Sequence, residues 1–547
     1  MKKKMAAYTI ISCIICTLFT GCGAASGLVS IGSAAAEYIS GSSSASVSSS
    51  EAELSSVSAG ANMNPAPVIT TNNWNVIDRK TQNWFFECNY DTIELEPESA
   101  GVYPNLAESL ELFSEQMHES QYSAVDSVKE DPETKNYLSP DIRFFDDYNI
   151  SIIRADNDVF SFVGTAGSYY GGAHPNTMRT GVSFDTKTGR RIELTDVVRS
   201  KQELMPVVKK LLLKYYPEAA FFDLDKSMAD YANKEEMQPV WYLTQDGIDI
   251  VFNPYDITPY VEGPKVIPVT FAEYPDLFTG KYKASEGSFV CSLSSFDTMN
   301  IDLDRDGKQE VIKVSGEYDG TDEMFSGVSV TIGNKSYKHD VSFLSYTAKL
   351  FHTSDGRNYL YVYTKEYNDY STILVFDLKG NDVNYTGSIE ACEMSAYSQN
   401  DNSAAGSYGD FEDSKYRYET HPITNPDGFY LQRRVDSLST YQIRQFYTIG
   451  KDGVPETKDE FGEVMGDITL TAVKDFKGRS VDITSNELKE DVNINKGDKL
   501  TIFRSNGKDT VIFKTGNKGY IALKYDSENK IDKVPAEDLF EMLYYAG

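Results

Sequence analysis

Apolar side chains recur along this chain with two periods, and the periods divide it. Strand-like runs, some alternating with a period of two and some continuously apolar, occupy residues 148–154 (YNISIIR), 159–164 (VFSFVG), 328–332 (VSVTI), 359–363 (YLYVY), 372–378 (TILVFDL), 468–473 (ITLTAV), 499–504 (KLTIFR) and 510–514 (TVIFK). The 3.6-residue period of an amphipathic helix appears in the first half. It is carried by Leu106, Leu110, Phe113 and Met117 after Pro104, and by Leu204, Val207, Val208, Leu211 and Leu212 after Ser200, a residue suited to an N-cap. Later strands are separated by turn sequences such as Gly333-Asn334-Lys335, Lys379-Gly380-Asn381 and Asn506-Gly507. The polar stretch 398–418 is expected to be a loop, and the acid-led segment 537–545 a closing helix. The predicted fold class is therefore multi-domain: an α+β N-terminal domain, then mainly β units, with a small β-barrel at the C-terminus.

Length supports several units, since 547 residues exceed what one core usually serves. Charge changes the picture more. Acidic residues outnumber basic ones by 82 to 52, a formal charge of −30, which repels phosphate backbones and argues against nucleic acid as a partner while favouring a basic one. The first residues supply a location: Met1-Lys2-Lys3-Lys4 is a basic flank and residues 6–20 an apolar run too short to span a membrane comfortably. That run ends in Leu18-Phe19-Thr20-Gly21-Cys22, which resembles the lipobox of bacterial lipoproteins, in which the Cys is acylated and becomes the mature N-terminus. Residues 1–21 are then a lipoprotein signal peptide, and Cys22 anchors an extracytoplasmic protein to the membrane. Loss of the three leader lysines leaves 49 of the 52 basic residues against 82 acidic ones, near −33.

Residues 22–72 are rich in Ser, Ala and Gly and read as a flexible tether. With Cys13 and Cys16 lost in the leader and Cys22 acylated, Cys88, Cys291 and Cys392 remain. Their spacing fits no zinc pattern, and both a Cys291–Cys392 disulfide and buried free thiols stay open.

Between residues 73 and 280 a series of motifs falls in order: Gly164 to Thr177 (GTAGSYYGGAHPNT), Phe184-Asp185-x-x-Thr188-Gly189, Leu194-Thr195-Asp196, Trp241-Tyr242-Leu243-Thr244-x-Asp246-Gly247-Ile248, and Phe252-Asn253-Pro254-Tyr255-Asp256-Ile257-x-Pro259-Tyr260-x-x-Gly263. Together they are similar to the extracytoplasmic domain of the RsiV-like, lysozyme-sensing anti-sigma factors of Gram-positive bacteria and to the non-catalytic part of a peptidoglycan deacetylase family. The resemblance implies an α+β binding domain. Only Met1 to Met5 precede the apolar run, so direct sequestration of a sigma factor is not expected. Within the first motif, Gly171 and Gly172 permit unusual backbone angles and Pro175 fixes the exit. Tyr169, Tyr170, His174 and Asn176 are of the types that exposed recognition loops use, so Tyr169, Tyr170, Gly171, Gly172, His174 and Asn176 form the candidate ligand-binding loop. A turn histidine satisfied by neighbouring backbone is the plainer reading of His174.

In the unit spanning 285–465, residues 302–310 read DLDRDGKQE, a D-x-D-x-D-G-x-x-E loop running straight into a strand. Its spacing resembles the short calcium loops of β-propeller and related repeat proteins. By that resemblance Asp302, Asp304, Asp306 and Glu310 ligate Ca²⁺ through side chains and Lys308 through its carbonyl, as a structural ion. A solvated acidic turn is the alternative. Residues 466–547, with short strands and tight turns, resemble a bacterial SH3-type domain.

No catalytic spacing is visible, and an enzyme is not expected. The function predicted is a cell-surface lipoprotein that binds or senses in the cell envelope, its candidate ligands a lysozyme-type muramidase or peptidoglycan. The alternatives are a cell-wall glycan hydrolase or deacetylase accessory protein, and a structural spacer without a specific ligand.

Overall fold

The computed structural model of the chain describes residues 64–130, 143–292, 298–318, 324–367, 370–380, 382–390, 392–400, 407–408 and 411–545. Its first layer is a sheet built on β1 (Pro67–Asp78), β2 (Trp84–Leu95), β3 (Phe144–Ala155), β4 (Val159–Tyr169) and β5 (Asn176–Asp185), in that spatial order. Strands β2 and β3 are parallel, which demands a crossover. The helix Pro104–Glu130 begins that crossover and lays Leu106, Leu110, Phe113 and Met117 on the sheet beside Val76, Phe86 and Phe162. The predicted apolar stripe is the buried one.

A second core lies on the other side. The helix Lys201–Tyr215 is capped by Ser200, whose hydroxyl accepts from the Glu203 N–H at 3.3 Å, and it packs with the helix Leu224–Asn233 against a three-stranded sheet. That sheet is β6 (Val240–Leu243), β7 (Gly247–Phe252) and β8 (Lys265–Thr270). It meets the first sheet closely because Gly181 has no side chain: a Cβ there would lie 2.0 Å from the Trp241 carbonyl oxygen. Ser161 Oγ donates to Leu243 O at 2.5 Å, and Leu243 N–H donates to Ser183 Oγ at 3.1 Å, sealing the join. Arg154, 2 % exposed, ties β3 to the β6–β7 turn and to the chain beyond β8: Nε donates to Asp156 at 2.7 Å and Nη1 to the carbonyls of Thr244 and Lys283 at 2.9 and 3.0 Å. Burial alone raises the Asp156 carboxyl, but Arg154 and the Asp158 and Val159 N–H groups outweigh it and hold the group below its ordinary value.

The middle of the chain is two antiparallel meanders face to face. One is β10 (Thr298–Ile301), β11 (Glu310–Glu317), β12 (Phe325–Ile332) and β13 (Lys335–Phe343). The other is β14 (Ser345–His352), β15 (Asn358–Lys365), β16 (Ser371–Lys379) and β17 (Asp382–Glu390), with β9 (Phe289–Ser292) added at the β14 edge. Ile312, Val314, Val330 and Ile332 interdigitate with Leu350, Leu360, Val362 and Phe376 between them. The outer face of the second meander buries Phe351, Tyr361 and Val375 against Phe429, Leu431 and Tyr447. Cys291 packs in the first of these cores and Cys392 in the second; both are free thiols, as is Cys88.

Three expectations change. The stretch expected to be a loop at 398–418 follows the two-residue strand β18 (Cys392–Glu393) and instead supplies β19 (Ser395–Asn400), β20 (Ser407–Tyr408) and most of β21 (Phe411–Pro422), and β21 pairs antiparallel with β1, from Ile69 opposite Thr420 to Asp78 opposite Phe411. The N-terminal sheet is thereby completed by a strand about 350 residues away in the chain. A buried ion pair, Lys129 Nζ to Asp413 at 2.8 Å, clamps it to the long helix. The C-terminal strands do not close a small barrel among the described residues. They join the hairpin β22 (Phe429–Asp436) and β23 (Thr440–Ile449) through the short strand Gly462–Met465, which pairs on one side with β23 and on the other with Lys499–Ser505. The closing helix is absent as well: among the described residues of that segment, only the turn Ala536–Asp538 is helical. Val473 N–H donates to Leu539 O at 2.8 Å and Glu541 N–H to Thr471 O at 2.9 Å, while Leu539 and Phe540 are buried. Extended pairing along residues 471–473 satisfies this backbone and seats both side chains in the core, which one face of a helix at this edge would not do.

Candidate functional site

The β4–β5 hairpin and the turn after β7 meet at one end of the first domain. Gly171 and Gly172 take φ of +91° and +131°, a region closed to most side chains, and so let the chain reverse between Tyr169 and His174. Opposite them the turn 253–263 is fastened to β5 by Asn253, whose side chain accepts from the Arg179 N–H at 2.7 Å and donates to the Arg179 carbonyl at 3.0 Å. Tyr255 is held there at φ +73°, a costly angle for an aromatic residue.

The result is a stack. The His174 ring lies on Tyr260 with centroids 3.8 Å apart at 19°, and Tyr255 lies beside the pair, its centroid 6.4 Å from His174 and 5.8 Å from Tyr260. His174 Nδ1 lies 2.8 Å from the Pro175 carbonyl and therefore carries the proton, and Nε2 accepts from the Tyr255 hydroxyl at 3.1 Å. Around the stack Val261 is 89 % exposed, Tyr255 57 % and Phe222 53 %. Large apolar groups are here turned to solvent together, close to the rigid edge of a sheet.

The other residues of the predicted loop have different surroundings. Tyr170 stacks on Phe86 at 5.8 Å and donates to Asp146 at 2.5 Å, so its ring roots the hairpin in the core. Tyr169 leans on Phe144 and Phe145 and donates to the Gly172 carbonyl at 3.1 Å. Asn176 is exposed at the start of β5, opposite Ser168. Beneath the hairpin, burial pushes the Asp146 carboxyl up to about 6 against the opposing hydrogen bonds from Tyr170 and Gln121. Burial likewise takes Asp147 to about 6 against its bond from Asn89. Tyr255 and Tyr260 belong to the motif that resembles RsiV-like domains but carry no chemical signal of their own in the sequence; only the fold brings them to His174.

The acidic turn forms a second cluster, between β10 and β11. Carboxylate oxygens of Asp302, Asp304 and Glu310 lie within 4.8 Å of one another. Asp302 accepts from the Asp306 and Gly307 N–H groups at 3.0 and 2.9 Å, which fixes the turn, and Gly307 takes φ +86°. Asp306 turns away to pair with the Lys308 ammonium at 2.9 Å. Glu310 is raised above its ordinary value by burial first and then by Asp304, Asp302 and Asp306. Three converging hard oxygens suit a divalent cation such as Ca²⁺, with Asp302, Asp304 and Glu310 as the side-chain ligands. Cys22 lies outside the described residues. Among the described residues no helix is long and apolar enough to cross a membrane.

The second half of the aromatic site falls inside a recognised domain. A family model described as a protein of unknown function (DUF3298) matches residues 195–272, so the chain carries a DUF3298 domain. Two solved structures of that family are similar to part of it. One, from Bacteroides fragilis, is 15 % identical over 41 % of this chain and 95 % of its own, with a TM-score of 0.28. The other, from Pseudomonas aeruginosa, is 14 % identical over 40 % of this chain and 97 % of its own, with a TM-score of 0.26. No curated protein matches the chain.

Proposed function

We propose that this is a membrane-tethered, extracytoplasmic binding protein that presents the His174, Tyr255 and Tyr260 stack to a ligand of the cell envelope. The observation that carries the reading is the exposed Tyr255 and Val261 beside the half-buried pair of His174 and Tyr260, on a hairpin and turn held together by the Asn253 side chain. Such surfaces supply apolar contact at small entropic cost, because the rings are ordered before the partner arrives. Binding fits this geometry better than catalysis: both nitrogens of His174 are engaged in hydrogen bonds, so neither is poised as a base. Cys22 is the proposed point of acylation.

The ligand we favour is a basic muramidase of the lysozyme type, with peptidoglycan as the competing candidate. The formal charge of −30 draws a cationic protein in, and the rings then give the specificity that charge lacks. Calorimetry of the soluble mature chain with lysozyme and with purified peptidoglycan tests this. A complex with lysozyme is expected, with association slowed by salt. Tyr255→Ala combined with Tyr260→Ala should raise the dissociation rate at least tenfold. Binding to peptidoglycan alone would move the assignment to the wall polymer, and no complex with either would overturn it. We assign a structural Ca²⁺ to Asp302, Asp304 and Glu310 as part of the same proposal.

A further inference from the structure

A cavity of about 290 Å³ lies where the DUF3298-containing domain meets the middle unit, away from the aromatic stack, and the proposed function makes no use of it. One wall comes from the β6–β7 turn and the segment leading to β9, the other from the acidic turn and the ends of β14 and β15. Its polar groups are placed with opposite charges facing it. Arg305 sits at φ +59°, a strained angle for this residue, and its Nη2 lies 3.3 Å from both the Glu286 carbonyl and His352 Nε2. A buried relay holds that arrangement. His352 Nδ1 donates to Asn358 Oδ1 at 2.7 Å and Asn358 Nδ2 donates to the Leu303 carbonyl at 3.3 Å, which leaves His352 Nε2 as the acceptor for Arg305. The Nε and Nη1 donors of Arg305 make no hydrogen bond within the described residues, so most of its fork is available to a planar anion.

An opposite charge is Asp246, and Lys283, Glu286 and Asp302 are also on the lining. The Asp246 Oδ2 accepts from the Asp302 N–H at 2.8 Å, and its Oδ1 makes no hydrogen bond within the described residues. Ser285, which also lines the cavity, is 8 % exposed, and its hydroxyl has no partner among the described residues. Phe289 and His352, stacked at 4.9 Å and 14°, supply an apolar surface between the charges. An anion alone on Arg305 would leave Asp246 uncompensated and a cation alone on Asp246 would leave Arg305 uncompensated, so a ligand carrying both charges fits the walls best.

We propose that this cavity binds a small zwitterion, its carboxylate on the Arg305 guanidinium and its ammonium on Asp246. Two sources offer that chemistry: a free amino acid and the end of a short peptide. The volume suits a molecule of amino-acid to dipeptide size.

Titration calorimetry of the full mature chain, with calcium and with EDTA, tests the assignment using glycine, D-alanine and the dipeptide D-alanyl-D-alanine, against acetate and methylammonium. Saturable binding of at least one zwitterion is expected, at least tenfold tighter than either single-charge compound. Tighter binding of D-alanine assigns the free amino acid, and tighter binding of the dipeptide assigns a peptide end. Arg305→Asn keeps a residue that tolerates φ +59° and should weaken binding at least tenfold at an unchanged melting temperature. If Arg305→Asn unfolds the loop, Asp246→Asn, which still accepts from Asp302, serves instead and should lose ammonium recognition by the same factor. Tyr260→Ala should leave this binding intact, so a failed lysozyme experiment and a failed zwitterion experiment remain distinguishable. No saturable binding of any zwitterion, acetate binding as tightly as glycine, or an unchanged affinity in both variants would overturn the proposal.

Discussion

The hairpin tip around His174 and the acidic turn around Asp304 are both short reversals that depend on glycines at positive φ, yet they are held together by opposite means. At the hairpin the polar atoms find partners within the chain: His174 is bonded at both nitrogens and stacked, and Tyr169 and Tyr170 are bonded to the hairpin and to β3. At the acidic turn the backbone N–H groups are satisfied by Asp302 and Asp306, but the carboxylates of Asp302, Asp304 and Glu310 converge on one another. The first loop is complete as folded and has only its apolar surface to offer. The second carries a repulsion that an ion would remove. Under the proposed function the first meets a partner and the second is closed by an ion.

Calcium should separate them most strongly. An ion that binds only the folded state adds about 2.7 kcal/mol when its free concentration is a hundred times Kd, so the melting transition of the middle unit should rise with the logarithm of free Ca²⁺ while the hairpin domain stays put. Asp304→Ala should abolish the rise, followed by differential scanning calorimetry. Equal sensitivity to EDTA in the variant and the parent would remove the metal assignment and leave a solvated acidic turn.

A glycine exchange made in both loops sharpens the comparison at a smaller scale. Gly172→Ala and Gly307→Ala each force an alanine to φ near +131° and +86°, with an expected loss of about 1–2 kcal/mol. The hairpin variant should not recover in calcium. The acidic-turn variant should recover part of its stability there, because ligation holds the turn against the strain. Chemical denaturation with and without millimolar calcium reads the difference, and identical recovery in both would contradict the distinction between the two loops.

Much of this is legible from residue order, and the features that are not have a common cause. The helix stripe Leu106, Leu110, Phe113, Met117 and the Ser200 cap are local patterns that local physics decides, and both appear where the period places them. The acidic turn is readable from spacing, and the structure gathers three of its four carboxylates; Asp306 departs because Lys308, two residues on, takes it first. The strand at Phe411–Pro422 is invisible in the sequence because FEDSKYRYETHP is polar on both faces, and its pairing is decided by the edge of β1 hundreds of residues earlier. Tyr255 and Tyr260 cannot be joined to His174 for the same reason: the hairpin and the turn are neighbours only after β6 has packed beside β5 and Asn253 has bonded to Arg179. Local signals find the elements, and long-range contact makes the functional surface.

The weakest effect is expected from pH, and it too should differ between the regions. Asp146, 4 % exposed beneath the hairpin, has its carboxyl pushed up to about 6 by burial, against an ordinary 3.8. Between those two values the folded protein holds more protons than the unfolded chain, so stability falls as pH rises through the window and is lower at pH 7 than at pH 5. From pH 5 to pH 7 the loss for this one group is of order 1 kcal/mol. Asp147 shifts in the same direction. Asp146→Asn keeps an oxygen to accept from Tyr170, removes the charge, and should flatten the pH dependence of the hairpin domain between pH 4 and 6 while raising its melting temperature at pH 7 by a degree or two. Calcium should leave this slope untouched. At the acidic turn Glu310 is raised for a different mixture of reasons, burial followed by three neighbouring carboxylates, and a bound divalent ion reverses the neighbours' contribution. A pH slope that calcium erased at the hairpin as well would mean that the two loops are energetically coupled through the junction at Asp246 and Asp302 rather than independent.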